Sequence, residues 1–322
     1  MDNTTEVAFG SKEVISRKEL KYYVKRTDRH GLIYFFGHMA ILGATGYLVY
    51  LSLDTWWIVP AMLAYGIVMA FLFAPVHECS HGTPFRTRWL NESVYWLVSL
   101  IYIVPPVFFR YSHAAHHTYT QVRGRDQDMI FPRQATVWNY IVYISSVPFW
   151  ARNISWLIRH SLGSVNPKYR YYLPDEEVPR VVREARIIIA IYLGIALMAI
   201  YANSWAPLTY WIIPRLVGEP FMRWLRVAEH GECEEGPDLR ENTRTTKTSR
   251  LVRFLFWNMP YHAEHHLSPM VPFHALPRLH EQVKDKLFPT ADSYLKVHAQ
   301  VLRRLFRQQG ITWETSKKQE NN

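Results

Sequence analysis

Polar and apolar positions fall into long blocks along the chain. Residues 1 to 30 are polar and carry Lys12, Arg17, Lys18, Lys21, Lys25, Arg26 and Arg29, with no short apolar core ahead of a small-residue cleavage site. A secretory signal is therefore not expected there. Gly31 to Leu53 holds no charge over about the twenty residues that a bilayer crossing needs, which predicts a first transmembrane helix. Asp54 and Thr55 interrupt it, and Trp56 to Val76 is a second uncharged run opened by tryptophans suited to the membrane interface. The two runs predict a transmembrane hairpin.

Val94 to Phe109 is apolar but short, and Pro105-Pro106 stops a helix there, so a re-entrant segment or a marginal span is expected. Val137 to Trp150 is shorter and aromatic-rich and reads as an interfacial helix. Arg186 to Ile213 is too long for one helix; with Asn203-Ser204 as its turn and Arg183, Arg186 and Arg215 outside it, it predicts a second hairpin. Trp and Tyr residues near 47 to 57 and 201 to 211 read as interfacial belts.

The formal charge of +10 would suit nucleic acid, but the basic residues flank apolar runs instead of forming an aromatic-interleaved groove, so nucleic acid is excluded in favour of membrane orientation. The basic N-terminal segment, the 151 to 186 stretch and everything after Arg215 are assigned to the cytoplasm, with the bacterial inner membrane as the expected location. The expected fold is an all-α integral membrane protein: about four transmembrane helices in two hairpins, interfacial helices and a cytoplasmic helical cap. No repeat or linker divides it, so one domain is expected, with a cytoplasmic segment at 1–30, hairpins at 31–76 and 186–217, and a cap at 218–322. Only about 1–15 and 313–322 read as frayed. Two cysteines, Cys79 and Cys233, cannot build a disulfide framework or a Cys-rich zinc site.

Eight of the fifteen histidines lie in three groups. His77 and His81 are four apart in His-Glu-Cys-Ser-His at the end of the second run, so both can face one metal ion. His113, His116 and His117, and again His262, His265 and His266, place i, i+3 and i+4 along one helical stripe, while each adjacent pair splays by roughly 100° and can address two ions. Eight imidazoles exceed the shell of a single tetrahedral zinc, so two metals are expected. Imidazole suits iron, copper, zinc and nickel alike and does not choose among them. An all-nitrogen shell leaves the metal charge uncompensated, so carboxylates should hold the ligands through their other ring nitrogens. Asp126 and Asp128 are the favoured candidates and Glu264 the third, with Glu78, Glu229 and Glu232 also available. His38, inside the first span, reads as a buried or pore-facing polar residue. His30, His160, His274, His280 and His298 read as surface or capping residues.

The three boxes, their order and their placement after hairpins resemble the membrane-bound fatty acid desaturase and hydroxylase superfamily. The run from Trp257 through His262-Ala263-Glu264-His265-His266 to Pro269 and Val271-Pro272-Phe273 is similar to that family's C-terminal box, and His77 to Gly82 to its first. The resemblance implies a non-haem di-iron centre, O2 as co-substrate, and removal of hydrogen from an unactivated C–H position of a fatty acyl lipid or similar compound. It implies a further ligand just after the last transmembrane helix and before the third box, a place taken by His230. The asparagine found four residues earlier in some relatives is absent, since position 226 is Arg226; Asn258 could do similar work. Electrons are expected from a separate ferredoxin, rubredoxin or cytochrome b5 type donor with its reductase.

Three other functions remain at this stage. A hydroxylase, ketolase or monooxygenase could act on a non-acyl hydrophobic compound with the same boxes. His77-Glu78-x-x-His81 also matches the zinc metalloprotease signature, with Glu78 as general base, though this leaves the other two boxes unexplained. A metal transporter would place its histidines within the spans, whereas these boxes sit at span ends.

Overall fold

The computed structural model describes residues 14–128 and 136–309. Among these residues the chain forms helices and loops with no strand, and a lone bridge joins Thr246 to Ala291. Val14 and Ile15 are buried in the core, and the Lys286 ammonium donates to the Val14 carbonyl at 2.9 Å, so the N-terminal order begins earlier than position 15. The rest of the two ends expected to fray lies outside the described residues.

After a short amphipathic helix, α1 (Arg17–Tyr23), the first hairpin is α2 (Asp28–Ser52) and α3 (Ile58–Ala70), continued by α4 (Phe73–Ser80). Asp28–Ser52 and Ile58–Ser80 are both long and apolar enough to cross a membrane. His38 in α2 is fully buried and its Nε2–H donates to the Val68 carbonyl at 3.0 Å, supplying a partner where the backbone loosens between α3 and α4. The turn of the hairpin exposes Trp56 (92%) and Trp57 (74%).

The short apolar run after it is bent. α5 (Arg88–Tyr102) and α6 (Pro106–Thr118) meet at 95°, with Ile103 at φ +65° between them. A β-branched residue is disfavoured in that left-handed region, and the bend is held by one contact and by two prolines. The Tyr95 hydroxyl donates to the Pro106 carbonyl at 2.6 Å, and Pro105 and Pro106 prevent α5 from running on. Counted as one broken span, the pair would be a fourth crossing.

The segment expected as one interfacial helix is two, α7 (Val137–Ile144) and α8 (Val147–Ser161), broken at Ser146 with φ +62°. Pro148 then fits the first turn of α8.

The second hairpin is α9 (Val178–Tyr201) and α10 (Ile213–His230), joined by a turn at Asn203 (φ +46°) and one wider π turn at Leu208–Ile212. α9 lies within the third candidate span. Its return helix departs from expectation: Arg215 is not outside the bundle but fully buried, and α10 runs unbroken past position 217 to His230. Charges on the inner face compensate one another. Arg215 reaches Glu219 at 2.9 Å, Arg223 reaches the other oxygen of Glu219 at 2.6 Å, and the Tyr102 hydroxyl donates to Glu219 at 2.8 Å. Such pairing is how buried charge is tolerated. α10 packs on α3 through a glycine crossing, where a Cβ on Gly218 would lie 1.8 Å from the Gly66 carbonyl oxygen. Only hydrogen fits there.

The chain closes with α11 (Arg250–Leu255), α12 (His262–Leu267), α13 (Leu276–Val283) and α14 (Tyr294–Gln308), which cap the end of the bundle where α4, α6 and α10 finish. His298 in α14 is buried, not superficial: it stacks on Trp224 at 4.2 Å and its Nε2–H donates to the Trp224 carbonyl at 2.9 Å. His160 is also buried, edge-on to Phe108 at 4.6 Å.

Candidate metal centre

Each histidine box is carried to the centre by a helix whose end is pinned. α4 places His77, while His81 follows at its C-terminal cap; the Asn91 amide donates to the Cys79 carbonyl at 3.0 Å and closes this end. α6 carries His113, His116 and His117, and its N-terminus is capped from another helix. The buried Glu184 carboxylate of α9 accepts the backbone N–H groups of Val107 and Phe108, which have no partner within α6. α10 delivers His230 at its last residue. α12 follows a tight turn in which Trp257 and Asn258 both take positive φ (46° and 57°), with Trp257 fully buried beneath it.

All nine expected histidines converge, and they do so in two groups. Nitrogens of His77, His81, His113, His117 and His265 lie within 4.8 Å of one another, as do those of His116, His230, His262 and His266. The boxes are shared across the groups. In the second box His113 and His117 join the group of five while His116 turns to the other; in the third, His262 and His266 join the group of four while His265 crosses back. Each helix therefore serves both points, as the splay of adjacent positions predicts.

The nitrogens fit cations. Nε2 atoms face each other at 3.0 Å (His81 and His113), 3.1 Å (His113 and His117), 3.1 Å (His117 and His265), 3.2 Å (His230 and His262) and 3.1 Å (His262 and His266). At metal–nitrogen lengths of about 2.0–2.1 Å, neighbouring ligand atoms lie roughly 2.9–3.4 Å apart. The Nε2 atoms of His77 and His116 are buried with no hydrogen-bond partner. Burial, and then the neighbouring imidazoles, push His262, His265 and His266 well below the usual histidine range, which leaves them neutral with a lone pair to give.

The opposite ring nitrogens show which supports the sequence anticipated. His116 Nδ1–H donates to Asp126 at 2.8 Å, and Asp126 also accepts the backbone N–H of Gln121 at 2.9 Å and of Asp128 at 2.8 Å. His77 Nδ1 lies 3.1 Å from Glu78, whose carboxylate is also 3.8 Å from His265. Asp128 does not reach a histidine of the centre; burial would raise it, but Arg152 at 3.1 Å, with Arg226 and His116 behind, holds it well below the usual carboxylate range. Glu264 turns away from the centre to Thr245 and to His280 Nδ1, the latter at 2.6 Å, so His280 is a partner of the third box. Asn258 is also elsewhere, its amide donating to the Phe273 carbonyl at 3.1 Å. Arg226, at the position where an asparagine was sought, pairs with Glu229 at 3.2 Å, and Glu229 stands 3.7 Å from His262. Glu232 pairs with Arg304 at 2.6 Å.

Two supports have no carboxylate to announce them. His230 Nδ1–H donates to the backbone carbonyl of Asn242 at 2.9 Å, and His266 Nδ1–H to the Thr120 hydroxyl at 3.0 Å. Asn242 in turn donates to the Thr120 carbonyl at 3.2 Å, tying both together.

The His-Glu-x-x-His element is not isolated as a protease motif requires. His77 and His81 share their group with three further histidines, and Glu78 is occupied by His77.

Comparison with known proteins gives the same picture. Residues 54–297 match the family described as Fatty acid desaturase. The chain is 22% identical to a Delta(5) fatty acid desaturase of Caenorhabditis elegans over 73% of its own length and 59% of that protein. It is 28% identical to the dihydrorhizobitoxine desaturase of Bradyrhizobium elkanii over 68% of its own length and 66% of the relative. With an sn-1 acyl-lipid omega-3 desaturase (ferredoxin) of Nostoc sp. the identity is 24%, over 79% and 74%. The alignments thus span just under two thirds, or less, of the first two relatives. With a family match over most of its length and nine histidines meeting at two points, the chain belongs to the fatty acid desaturase family.

Proposed function

We propose that the chain is an O2-dependent membrane oxidoreductase that desaturates an unactivated C–H position of a fatty acyl lipid or similar hydrophobic substrate, with two irons held by His77, His81, His113, His117 and His265 and by His116, His230, His262 and His266. The observation that carries this reading is the division of nine imidazoles into groups of five and four. Iron bound there would supply the O2 chemistry needed to remove hydrogen from such a bond. The protein's own part is to orient and to exclude water. Glu78, Asp126, Thr120 and the Asn242 carbonyl fix the rings of His77, His116, His266 and His230 so that Nε2 points inward. Phe109 stacks on His113 at 5.2 Å and Phe73 lies 5.8 Å from His77, closing the apolar side.

The Lys/Arg distribution supports a centre and both termini on the cytoplasmic side of a bacterial inner membrane, with 1–322 acting as one unit. A separate one-electron carrier of ferredoxin, rubredoxin or cytochrome b5 type would deliver the electrons; the Nostoc relative carries ferredoxin in its name.

The test is metal content of detergent-purified protein grown with iron, together with fatty acid profiles of the expressing host. Close to two irons per chain and a new double bond are expected; one zinc, unchanged by added iron, refutes the reading. One observation favours a second substrate class. Arg215, Glu219, Arg223, Arg226 and Glu229 make the buried face of α10 leading to His230 charged, and the Bradyrhizobium relative is named for a small molecule. The same host's polar extract distinguishes the two, since a compact polar substrate leaves the lipid profile unchanged.

A further inference from the structure

Seven of the nine histidines are enclosed by the protein and His117 is at the margin of burial, but His81 is only partly buried and stands in the wall of a cavity of about 310 Å³ that opens to the surface. Arg26, Arg86, Arg88 and Arg110 surround that opening, against a single acid, Glu92. Glu92 is already paired with Arg110 at 2.8 Å, whereas Arg26, Arg86 and Arg88 form no ion pair among the described residues. Asp28 lies close enough to Arg86 to feel its charge, so Arg26 and Arg88 carry most of the unbalanced positive charge around this partly buried ligand. His81 Nε2 lies 3.0 Å from His113 Nε2 within the group of five, and no protein group among the described residues bonds its Nδ1. Two other cavities differ. The apolar groove lined by Tyr192, Trp205 and Trp211 and the polar one lined by Glu232, Arg244 and Lys296 have no histidine of the centre in their walls.

We propose that this arginine-ringed mouth is the docking surface for an acidic one-electron carrier protein, and that His81 is the ligand through which its electron enters. The inference rests on the di-iron reading above. An acidic face would bring net negative charge against a mouth where four guanidinium groups outnumber the one lining acid, the complementarity that speeds encounter and fixes orientation between redox partners. A long apolar substrate finds little here, because the walls are charged. In each docking event the reduced carrier would give up one electron to the iron that these histidines would hold. Two such events, with O2, two protons and the two hydrogens taken from substrate, yield the double bond and two waters. The mouth is small, as suits a transient redox encounter.

The experiment uses the full chain in nanodiscs, and a reduced plant-type [2Fe–2S] ferredoxin as the probe. Ferredoxin affinity is read by fluorescence anisotropy, which needs no iron in the chain. Arg86→Glu/Arg88→Glu should weaken binding roughly tenfold or more at low salt, and Arg86→Gln/Arg88→Gln by less. Wild-type binding should fall steeply between about 0.01 and 1 M salt, while the charge-reversed variant changes little. Iron count and reduction by dithionite, followed by Mössbauer spectroscopy, should be unchanged in both variants, which separates loss of docking from loss of the fold. Wild-type and reversed proteins binding ferredoxin alike, or neither binding it, overturns the proposal, as does tight binding of inorganic phosphate at the mouth that leaves ferredoxin binding intact. A chain that binds ferredoxin through these arginines but holds no iron would overturn the di-iron reading and leave the docking surface standing.

Discussion

Asp126→Asn tests whether the centre depends on its carboxylate supports. Asp126 takes three hydrogen bonds through two oxygens: His116 Nδ1–H and the Asp128 N–H on one, the Gln121 N–H on the other. All four groups are buried or nearly so, and the variant is almost isosteric. An asparagine keeps one acceptor oxygen. If that oxygen stays with His116, its NH2 meets the Gln121 N–H, donor against donor, and an unmet buried donor costs about 1–3 kcal/mol. If it turns to Gln121, the NH2 faces His116 Nδ1 and favours the tautomer with hydrogen on Nε2, which cannot bind a metal. Either route weakens the group of four by the 10–100-fold typical for losing such a partner, roughly 1.4–2.7 kcal/mol. The assay is iron retained against a graded chelator series, with ferrous signals from the two groups separated by Mössbauer spectroscopy. Faster loss from the group containing His116 is expected. Retention indistinguishable from wild type would refute the argument that this carboxylate sets the ring.

Gly218→Ala should force α3 and α10 apart, since the new methyl would fall 1.8 Å from the Gly66 carbonyl; a loss of about 1–3 kcal/mol or more is expected, read as a lower unfolding midpoint in detergent. Glu184→Gln leaves one of two backbone donors at the start of α6 unmet and should cost about 1–2 kcal/mol, so an unchanged midpoint would disprove the cap. Asp128→Asn addresses pH. Because the folded state holds this carboxyl below its ordinary value, the Arg152 pair stabilises the protein above about pH 4 and is lost as pH falls through the depressed value. The stability gap between wild type and variant should therefore be widest near neutrality and close on acidification; melts across pH 7 to 3 showing the reverse would contradict it.

The boxes were legible because a helix converts spacing into a shared face, so His113, His116 and His117 could be placed on one stripe without knowing any other residue. Which ion each would serve was not legible, since it depends on how α6 and α12 are rotated against each other. The supports divide similarly. Asp126 stands near its histidine in sequence and was found, whereas the Asn242 carbonyl is a backbone atom with no signature, and Thr120 looks like any loop hydroxyl. Glu264 was misdirected for a plain reason: it is on the helix of its box but points to His280, a residue whose own role shows only after α13 folds back. Arg215 looked like a boundary because a lone arginine ends an apolar run. With Glu219 and Arg223 one and two turns on, the charges close on themselves and the helix continues to His230. Glu184 was overlooked as one charge among many at the head of a span; its task is set by the N-terminus of a helix some 77 residues away.

The exposed tryptophans at the tip of the first hairpin make it a depth gauge. Ile58–Ser80 runs for 23 residues from Trp57 to the first histidine box, about 34 Å at 1.5 Å per residue, against a hydrocarbon core of about 30 Å. Tyr201 (95% exposed) and Trp205 repeat the anchor on the second hairpin. With both tips moored at one interface, the histidine end would arrive near the other. On the acyl-lipid reading proposed above, bilayer thickness would then set how far along a tail the reacting carbon lies from the surface: a thicker membrane would draw the centre inward, and a thinner one would lift it out. Reconstitution into lipids of graded chain length should therefore shift turnover and the position of the product's double bond, with no change to the protein at all.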